Sequence, residues 1–472
     1  MEKIMRVFLT VFLFLFLFSV YGKLVKPDTG ILDGRNENSN GNYQGFQNLP
    51  ADSLDYLVIG SSNVFMDIAP TYIWDEFGLA GYNFVSPAQP LYISKFYLEE
   101  AIKTQAPKVV FLDALGVAMY EHASESYTHL GLDYFPLSYE KIKVVENLPY
   151  DHKSFIFPFL LYHTRNGELT KSDFNLLEYN PEENFLGYTP SYQSVPCEEP
   201  MLPSGEKYVT DNNLKYFSEI YRICNENDIT LVLLKTPNRE WTVEMSEAAG
   251  NLAEEYGIEY IEFNRILEEI GFDLASDFCD GGKHLNYYGA VKVSRYLGEY
   301  LTENFTDIFP EKEDGIQAFY DGCANHLEHY EEVVGIRTMK DLHEILALGE
   351  RLYVILVSGQ NVSDTVLITE YLDREFSQVI YTSTYVALIN DGQVTLAQGE
   401  RDCSLEKKID GKEFYLQNNM DSSVSKSKIQ LDYRNYSKDG MVNIAVYDKV
   451  YGQIIDSFSV NVDNGEIILV RN

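Results

Sequence analysis

From residue 50 onward the chain alternates short unbroken apolar runs with longer stretches whose apolar residues recur every three or four positions. YLVI at 56–59 is the first run; the turn Gly60-Ser61-Ser62-Asn63 follows it, and then a helix-like stretch through Trp74 and Phe77. Further runs stand at 109–112 (VVFL) and 230–234 (TLVLL), and IEYIEF ends the series. Helix-like segments lie beside them: LYISKFYLEEAIKTQ, residues 243–256 and residues 291–305. A run without polar alternation is how a strand covered on both faces reads, so the pattern predicts an α/β domain over 51–312 around a mostly parallel sheet.

That rhythm breaks between residues 114 and 213, which are rich in Tyr, Phe, Pro and Asn. A stretch of this length without a rhythm of its own predicts an insertion at the carboxyl end of a strand, where open α/β sheets bind ligands; it would form a wall, a lid or a purely packing subdomain. After IFPEKEDG the pattern changes to short alternating runs such as YVALIND, SKIQLDY and VNIAVYD, separated by Gly, Asn and Asp. Residues 330–472 are therefore predicted to form a smaller α+β or β-rich domain.

The first 26 residues follow neither pattern. Lys3 and Arg6 precede an uncharged apolar run from Val7 to Tyr21, the composition of an export segment that is either a cleaved signal peptide or a retained membrane anchor. Residues 27–50, rich in Gly, Asn and Pro, read as a linker from that segment to the first domain. Membrane association at the N-terminus and an extracytoplasmic location for the rest are the expectations.

Composition narrows the partners. With 37 Lys and Arg against 72 Asp and Glu the net charge is −35, which repels a phosphate backbone and argues against nucleic acid. Thirty-six Tyr against two Trp suit a wet, sugar-like ligand surface, where a ring stacks while its hydroxyl bonds. Five scattered Cys, odd in number and without a C-x-x-C pair, indicate neither a zinc site nor a disulfide framework and read as small buried apolar residues. His326 and His329 form an H-x-x-H without the metalloprotease pattern and read as a solvated helix face. No phosphate-binding or dinucleotide glycine motif follows a strand, so no cofactor and no metal is expected.

Two segments carry candidate chemistry. A Ser at a strand-to-helix turn, as in Gly60-Ser61-Ser62-Asn63, presents its hydroxyl at the carboxyl edge of a sheet. Asp280-Gly281-Gly282-Lys283-His284-Leu285-Asn286 precedes the last helix of the domain and holds an imidazole with a carboxylate close upstream to fix its tautomer. Taken singly, each has an ordinary structural explanation as a helix cap or a loop histidine.

Taken together, GSSN as a first block and DGGKHLN as a last block resemble the SGNH (GDSL-like) hydrolases. With the segments SPAQPL at 86–91, KTPNREW at 235–241 and HLNYYGAVK at 284–292, the chain over about 50–305 looks most like the exported, DltD-like members of that superfamily. The resemblance implies a flavodoxin-like three-layer α/β/α fold and ester or thioester acyl chemistry, with Ser62 as nucleophile, His284 as general base and Asp280 as its orienter. Asp280 stands four residues before His284 where the family has three, which leaves Asp277 in reserve, and Ser61 is the other candidate hydroxyl. The family's third-block Asn has no counterpart after VVFLD, so the implied oxyanion donors are the Ser62 amide with Gln89 or the Gly116 amide. The second domain faintly resembles the interleukin-like EMT-inducer domain, which implies a compact β-rich module able to bind carbohydrate.

The functional expectation is an extracytoplasmic serine esterase or O-acyltransferase acting on a cell-envelope glycan, polysaccharide or teichoic-acid-like polymer. The alternative is a catalytically inactive surface glycan-binding protein, or a scaffold for a membrane acyltransferase partner.

Overall fold

The computed structural model describes residues 39–157, 159–163, 185–191, 194–207, 209–334 and 353–359. It also describes 384–390, 393–399, 402–409, 411–421, 424–431, 434–437, 442–449, 453–463 and 466–470, and four isolated positions before residue 22. The N-terminal apolar segment thus lies almost wholly outside the described residues, among which no helix is long and apolar enough to cross a membrane. The chain divides into two compact units, one reaching Leu327 and the other beginning at Glu328.

The first unit is an α/β domain. Its helices and strands run α1 (Ser39–Gln47), β1 (Tyr56–Gly60), α2 (Ser62–Asp67), α3 (Pro70–Phe77), β2 (Gly81–Val85), α4 (Leu91–Ala101), β3 (Val109–Asp113) and α5 (Leu115–Ala118). The insertion contributes α6 (Glu125–Leu132), α7 (Tyr139–Glu146), α8 (His152–Ile156) and α9 (Phe159–Tyr162). The domain resumes with α10 (Asp211–Glu226), β4 (Thr230–Lys235), α11 (Val243–Tyr256), β5 (Glu259–Glu262), α12 (Tyr287–Phe305) and the greater part of α13 (Asp314–Val334).

The five strands are all parallel in the order β2-β1-β3-β4-β5, the doubly wound flavodoxin-like arrangement. Every residue of β1, β2 and β3 is buried, as their unbroken apolar runs require. On one face Leu57, Ile59, Phe84, Val110, Leu112 and Leu233 join a single core with Phe96 of α4, Phe217 and Ile220 of α10 and Leu252 of α11. On the other, Phe111 lies between Tyr56, at 6.1 Å between ring centroids, and Tyr300 of α12, at 6.2 Å; α2 and α3 pack against α12 there.

Helix α10 shows how the pattern becomes structure. Thr210 caps it by accepting the amide of Asn213, and Asn213, Tyr216, Phe217, Ile220, Ile223 and Cys224 form one buried stripe at three- and four-residue spacing. Burying a Phe or Ile side chain of this kind contributes about 1.5 to 3 kcal/mol, far more than the helix's own propensity.

Residues 39–47, inside the stretch read as a linker, form helix α1 instead. Its Gly- and Asn-rich sequence is a poor helix former in isolation. Tertiary contacts hold it: the Phe46 ring stacks on Phe84 at 4.0 Å, Tyr82 donates to the Asn42 carbonyl, and Asn42 donates to the Asn83 carbonyl at the outer edge of β2. A free sheet edge is thereby covered.

The described parts of the insertion fall in two places. Its helices α6 and α7 lie against α4, where Phe135 meets Phe96 and Tyr97 at 4.8 and 4.9 Å, whereas Ser191, Val195 and Cys197 bond to the main chain around the loop that carries His284.

The second unit is β-rich and antiparallel. Strands β6 (Tyr353–Gly359), β7 (Thr384–Asn390), β8 (Gln393–Gly399), β13 (Val442–Asp448), β14 (Gln453–Asp463) and β15 (Glu466–Val470) form one sheet. Strands β9 (Asp402–Ile409), β10 (Lys412–Asp421), β11 (Val424–Leu431) and β12 (Arg434–Asn435) form another. Val386 and Leu388 from the first meet Phe414, Leu416 and Ile429 from the second, with Phe414 edge-on to Tyr447 at 5.0 Å, so the two sheets share one core. All five Cys are buried thiols.

Candidate active site

The site begins at the carboxyl end of β1. A side chain at Gly60 would stand 2.3 Å from Asp113 Cβ and 2.7 Å from Val64, so only glycine lets β1 end this close to β3. Ser61 caps α2 and is buried, donating its hydroxyl to Asp113 Oδ2 at 2.6 Å. Its oxygen is committed to that cap, and the partly exposed Ser62 is the hydroxyl left at the sheet edge, next to the crossover point between β1 and β3 where ligands of doubly wound sheets bind.

The second half of the site is a short hairpin closed by a bridge between Phe278 and Leu285. Gly281 and Gly282 turn it with φ of +81° and +123°, values that a side chain resists. Asp280 Oδ1 then accepts the amides of Lys283 and His284 at 3.0 and 2.9 Å, and its Oδ2 receives His284 Nδ1 at 2.7 Å. The other ring nitrogen, Nε2, lies 2.9 Å from Ser62 Oγ. Hydroxyl, imidazole and carboxylate form one hydrogen-bonded row, with side chains of His284 and Asp280 about 25% and 35% exposed and so within reach of a substrate.

Electrostatics follow from this geometry. Partial burial opposes the charge on Asp280, yet the bonds from the His284 ring, the His284 amide and the Lys283 amide outweigh it and hold the carboxyl below its ordinary value. Burial likewise opposes protonation of His284, but the Asp280 bond and the negative charges of Asp67 and Asp280 hold the ring above its ordinary value. A neutral His284 can therefore accept the Ser62 proton and form an imidazolium that its surroundings welcome.

The remaining sequence-predicted residues fall elsewhere. Asp277 is buried and accepts Lys292 Nζ at 2.6 Å and the Asp273 amide at 2.7 Å. Gln89 is buried with its carboxamide oxygen accepting from Ser86 and its nitrogen donating to Ser94. Gly116 packs on Leu91, and its carbonyl accepts from Asn213. The side chains of His326 and His329 on α13 lie outside the described residues.

Several residues that spacing does not reveal support the row. Asn63 and Asn238 both donate to the Lys283 carbonyl, at 2.5 and 3.2 Å. Asp67, at the far end of α2 and fully buried, accepts the Leu285 amide at 2.8 Å and the Thr236 hydroxyl at 2.6 Å. Lys235 is also fully buried, over the Trp241 ring. Tyr120, beyond β3, donates to the Gln89 carbonyl at 3.4 Å. The segment KTPNREW pointed to part of this set; nothing in the spacing of Asp67 did.

A second Ser, His and Asp meet inside the insertion: Ser154 Oγ lies 3.4 Å from His129 Nε2, and His129 Nδ1 lies 3.0 Å from both oxygens of Asp133. That His is buried and stacked on Phe155 at 3.8 Å, and the Ser hydroxyl donates to the Asp151 carbonyl at 3.0 Å. The geometry is that of a helix-to-helix staple.

No family profile matches the chain, and no curated protein matches its sequence.

Proposed function

We propose that the chain is an SGNH (GDSL-like) serine hydrolase of the exported, DltD-like kind, an esterase or O-acyltransferase acting on a cell-envelope polysaccharide or teichoic-acid-like polymer. The observation that carries this reading is the row Ser62, His284, Asp280 at the carboxyl edge of a parallel sheet. In the proposed reaction Ser62 Oγ bonds the acyl carbon while its proton passes to His284 Nε2 and the carbonyl electrons move to the oxygen. Collapse of that intermediate expels the leaving oxygen, which takes the proton from Nε2. A sugar hydroxyl or water then repeats the sequence in reverse and frees Ser62. Export and N-terminal membrane tethering rest on Lys3, Arg6 and the apolar run after them.

The test is covalent labelling by a fluorophosphonate probe, with hydrolysis of p-nitrophenyl acetate beside it. Both are expected to be lost in Ser62→Ala; undiminished labelling of that variant overturns the reading. A second reading, a glycan-binding surface protein or a scaffold for a membrane acyltransferase, is favoured by the engagement of both ends of the Gln89 carboxamide, an implied oxyanion donor, with Ser86 and Ser94. Glycan binding, or co-purification with a multi-spanning partner, that survives Ser62→Ala without any turnover by the unaltered chain would support it.

A further inference from the structure

Asp67 is a costly residue for a fold to keep. A carboxylate with no solvent exposure loses several kcal/mol of hydration unless bonds and charges replace it, and an apolar residue in its place would avoid that loss. What surrounds it is specific. Oδ1 accepts the amide of Leu285, the residue after His284; Oδ2 accepts the hydroxyl of Thr236 at the end of β4, with the Asn63 carboxamide 3.5 Å away. Asp67 lies on the same short helix as Ser62. One carboxylate thus joins the helix of the hydroxyl, the loop of the imidazole and the end of β4.

We propose that Asp67 is a positioning residue for the Ser62–His284 pair: it fixes the His284 loop against α2 and, when ionised, places a negative charge near the imidazole. The proposal rests on the reading of Ser62 and His284 as the reacting pair.

The charge matters as well as the tether. The titratable and charged groups that act on or with Asp67 are His284 from the loop, Lys235 from β4 and Cys279 from the hairpin. Burial pushes the Asp67 carboxyl up to about 7, against the opposing pull of His284, the Leu285 and Thr236 hydrogen bonds and Lys235. When ionised, Asp67 favours the protonated imidazole through space, adding to what Asp280 does by its bond to Nδ1. Two carboxylates then serve one His: Asp280 by direct contact, Asp67 through the chain and through space.

Asp67→Asn separates this role from a merely structural one. The amide keeps an oxygen for the Leu285 N–H and removes the charge. In the full chain, the rate of fluorophosphonate labelling is measured against pH for the unaltered protein and the variant. The expected result is an acid limb displaced to lower pH by on the order of one unit, the size that removal of one nearby charge carries, with Ser62 still the labelled residue. An unmoved limb overturns the proposal. Should Asp67→Asn fail to fold, Thr236→Val carries the same readout, because loss of its hydroxyl leaves Asp67 less ionised at a given pH; an unmoved limb there overturns it equally. Ser62→Ala run in parallel distinguishes the two levels: labelling that survives Ser62→Ala defeats the reading of the site, whereas labelling lost in Ser62→Ala with an unmoved limb in Asp67→Asn defeats only the role of Asp67.

Discussion

Asn63, the neighbour of Ser62, donates its carboxamide to the main-chain oxygen of Lys283, the neighbour of His284, across 2.5 Å. Two positions 220 residues apart in sequence are stapled one residue away from the candidate reacting atoms. Asn238 donates to the same oxygen, so the staple is duplicated.

That duplication predicts a non-additive pair. Asn63→Ala leaves the Lys283 carbonyl one donor, and a lost buried hydrogen bond of this kind costs about 1 to 3 kcal/mol. The labelling rate is expected to fall tenfold to a hundredfold, roughly the effect of a small misplacement of reacting groups. Asn63→Ala with Asn238→Ala is expected to lose more than the sum of the two single changes, because only the double variant leaves the oxygen without either donor. Labelling kinetics on the four proteins of the cycle check this; strict additivity would show that the two amides do not share one task.

Asp280 sets a second expectation. His284 must be neutral to take the Ser62 proton, and its folded pKa lies above the ordinary 6.5, so labelling should rise with pH through a midpoint above that value. Asp280→Asn removes the strongest influence favouring the charged ring, so the midpoint should move down while the plateau falls by on the order of 10² to 10⁴. Stability carries the opposite signs for the two partners. The depressed Asp280 contributes above its ordinary pKa and loses that contribution on acidification; the raised His284 contributes below its ordinary pKa and loses it as pH rises through the folded value. Their mutual stabilisation is therefore expected to be greatest between about pH 4 and 6.5. Thermal melts of the unaltered protein and Asp280→Asn across pH 3 to 9 test it.

The parts of the molecule legible in the sequence are those whose pattern is local. Three of the five parallel strands, β1, β3 and β4, stand as apolar runs because burial on both faces removes polar alternation, and the two blocks around Ser62 and His284 are short loops with distinctive residues. Helix α1 was hidden because Phe46, and not helix propensity, secures it. Asp67 was hidden because its partners, Leu285 and Thr236, are 218 and 169 residues away and are met through a main-chain amide and a hydroxyl, which leave no spacing to read. Gln89 illustrates the reverse: its place in SPAQPL suggested an oxyanion donor, while the fold gives its two ends to Ser86 and Ser94.

Asp67 also makes a prediction about stability that is independent of any activity. Its folded pKa is raised from the ordinary 3.8 to about 7, so the folded state holds a proton that the unfolded state releases between those values. The stability contributed by protonated Asp67 is present below pH 4 and lost as pH rises through 7. About three pK units at roughly 1.4 kcal/mol each bound the loss at a few kcal/mol. Asp67→Asn cannot ionise, so its stability relative to the unaltered protein is expected to improve from pH 5 to pH 8. Denaturant unfolding at both pH values checks this, and a constant difference would show that the carboxyl does not titrate in that window.

The two Ser-His-Asp groupings give a last, internal contrast. Ser154 approaches His129 at 3.4 Å, but its hydroxyl hydrogen is turned to the Asp151 carbonyl and the ring is sealed against Phe155. Ser62 lies 2.9 Å from a His284 whose side chain reaches solvent, and the acidic partner is reachable too. A covalent serine probe needs an accessible oxygen whose proton can pass to an open imidazole. Ser154→Ala is therefore expected to label at the unaltered rate, whereas Ser62→Ala is not labelled at all. Peptide mapping of the labelled chain reads the outcome directly: adduct on Ser62 alone fits this contrast, and any adduct on Ser154 would move the chemistry into the insertion.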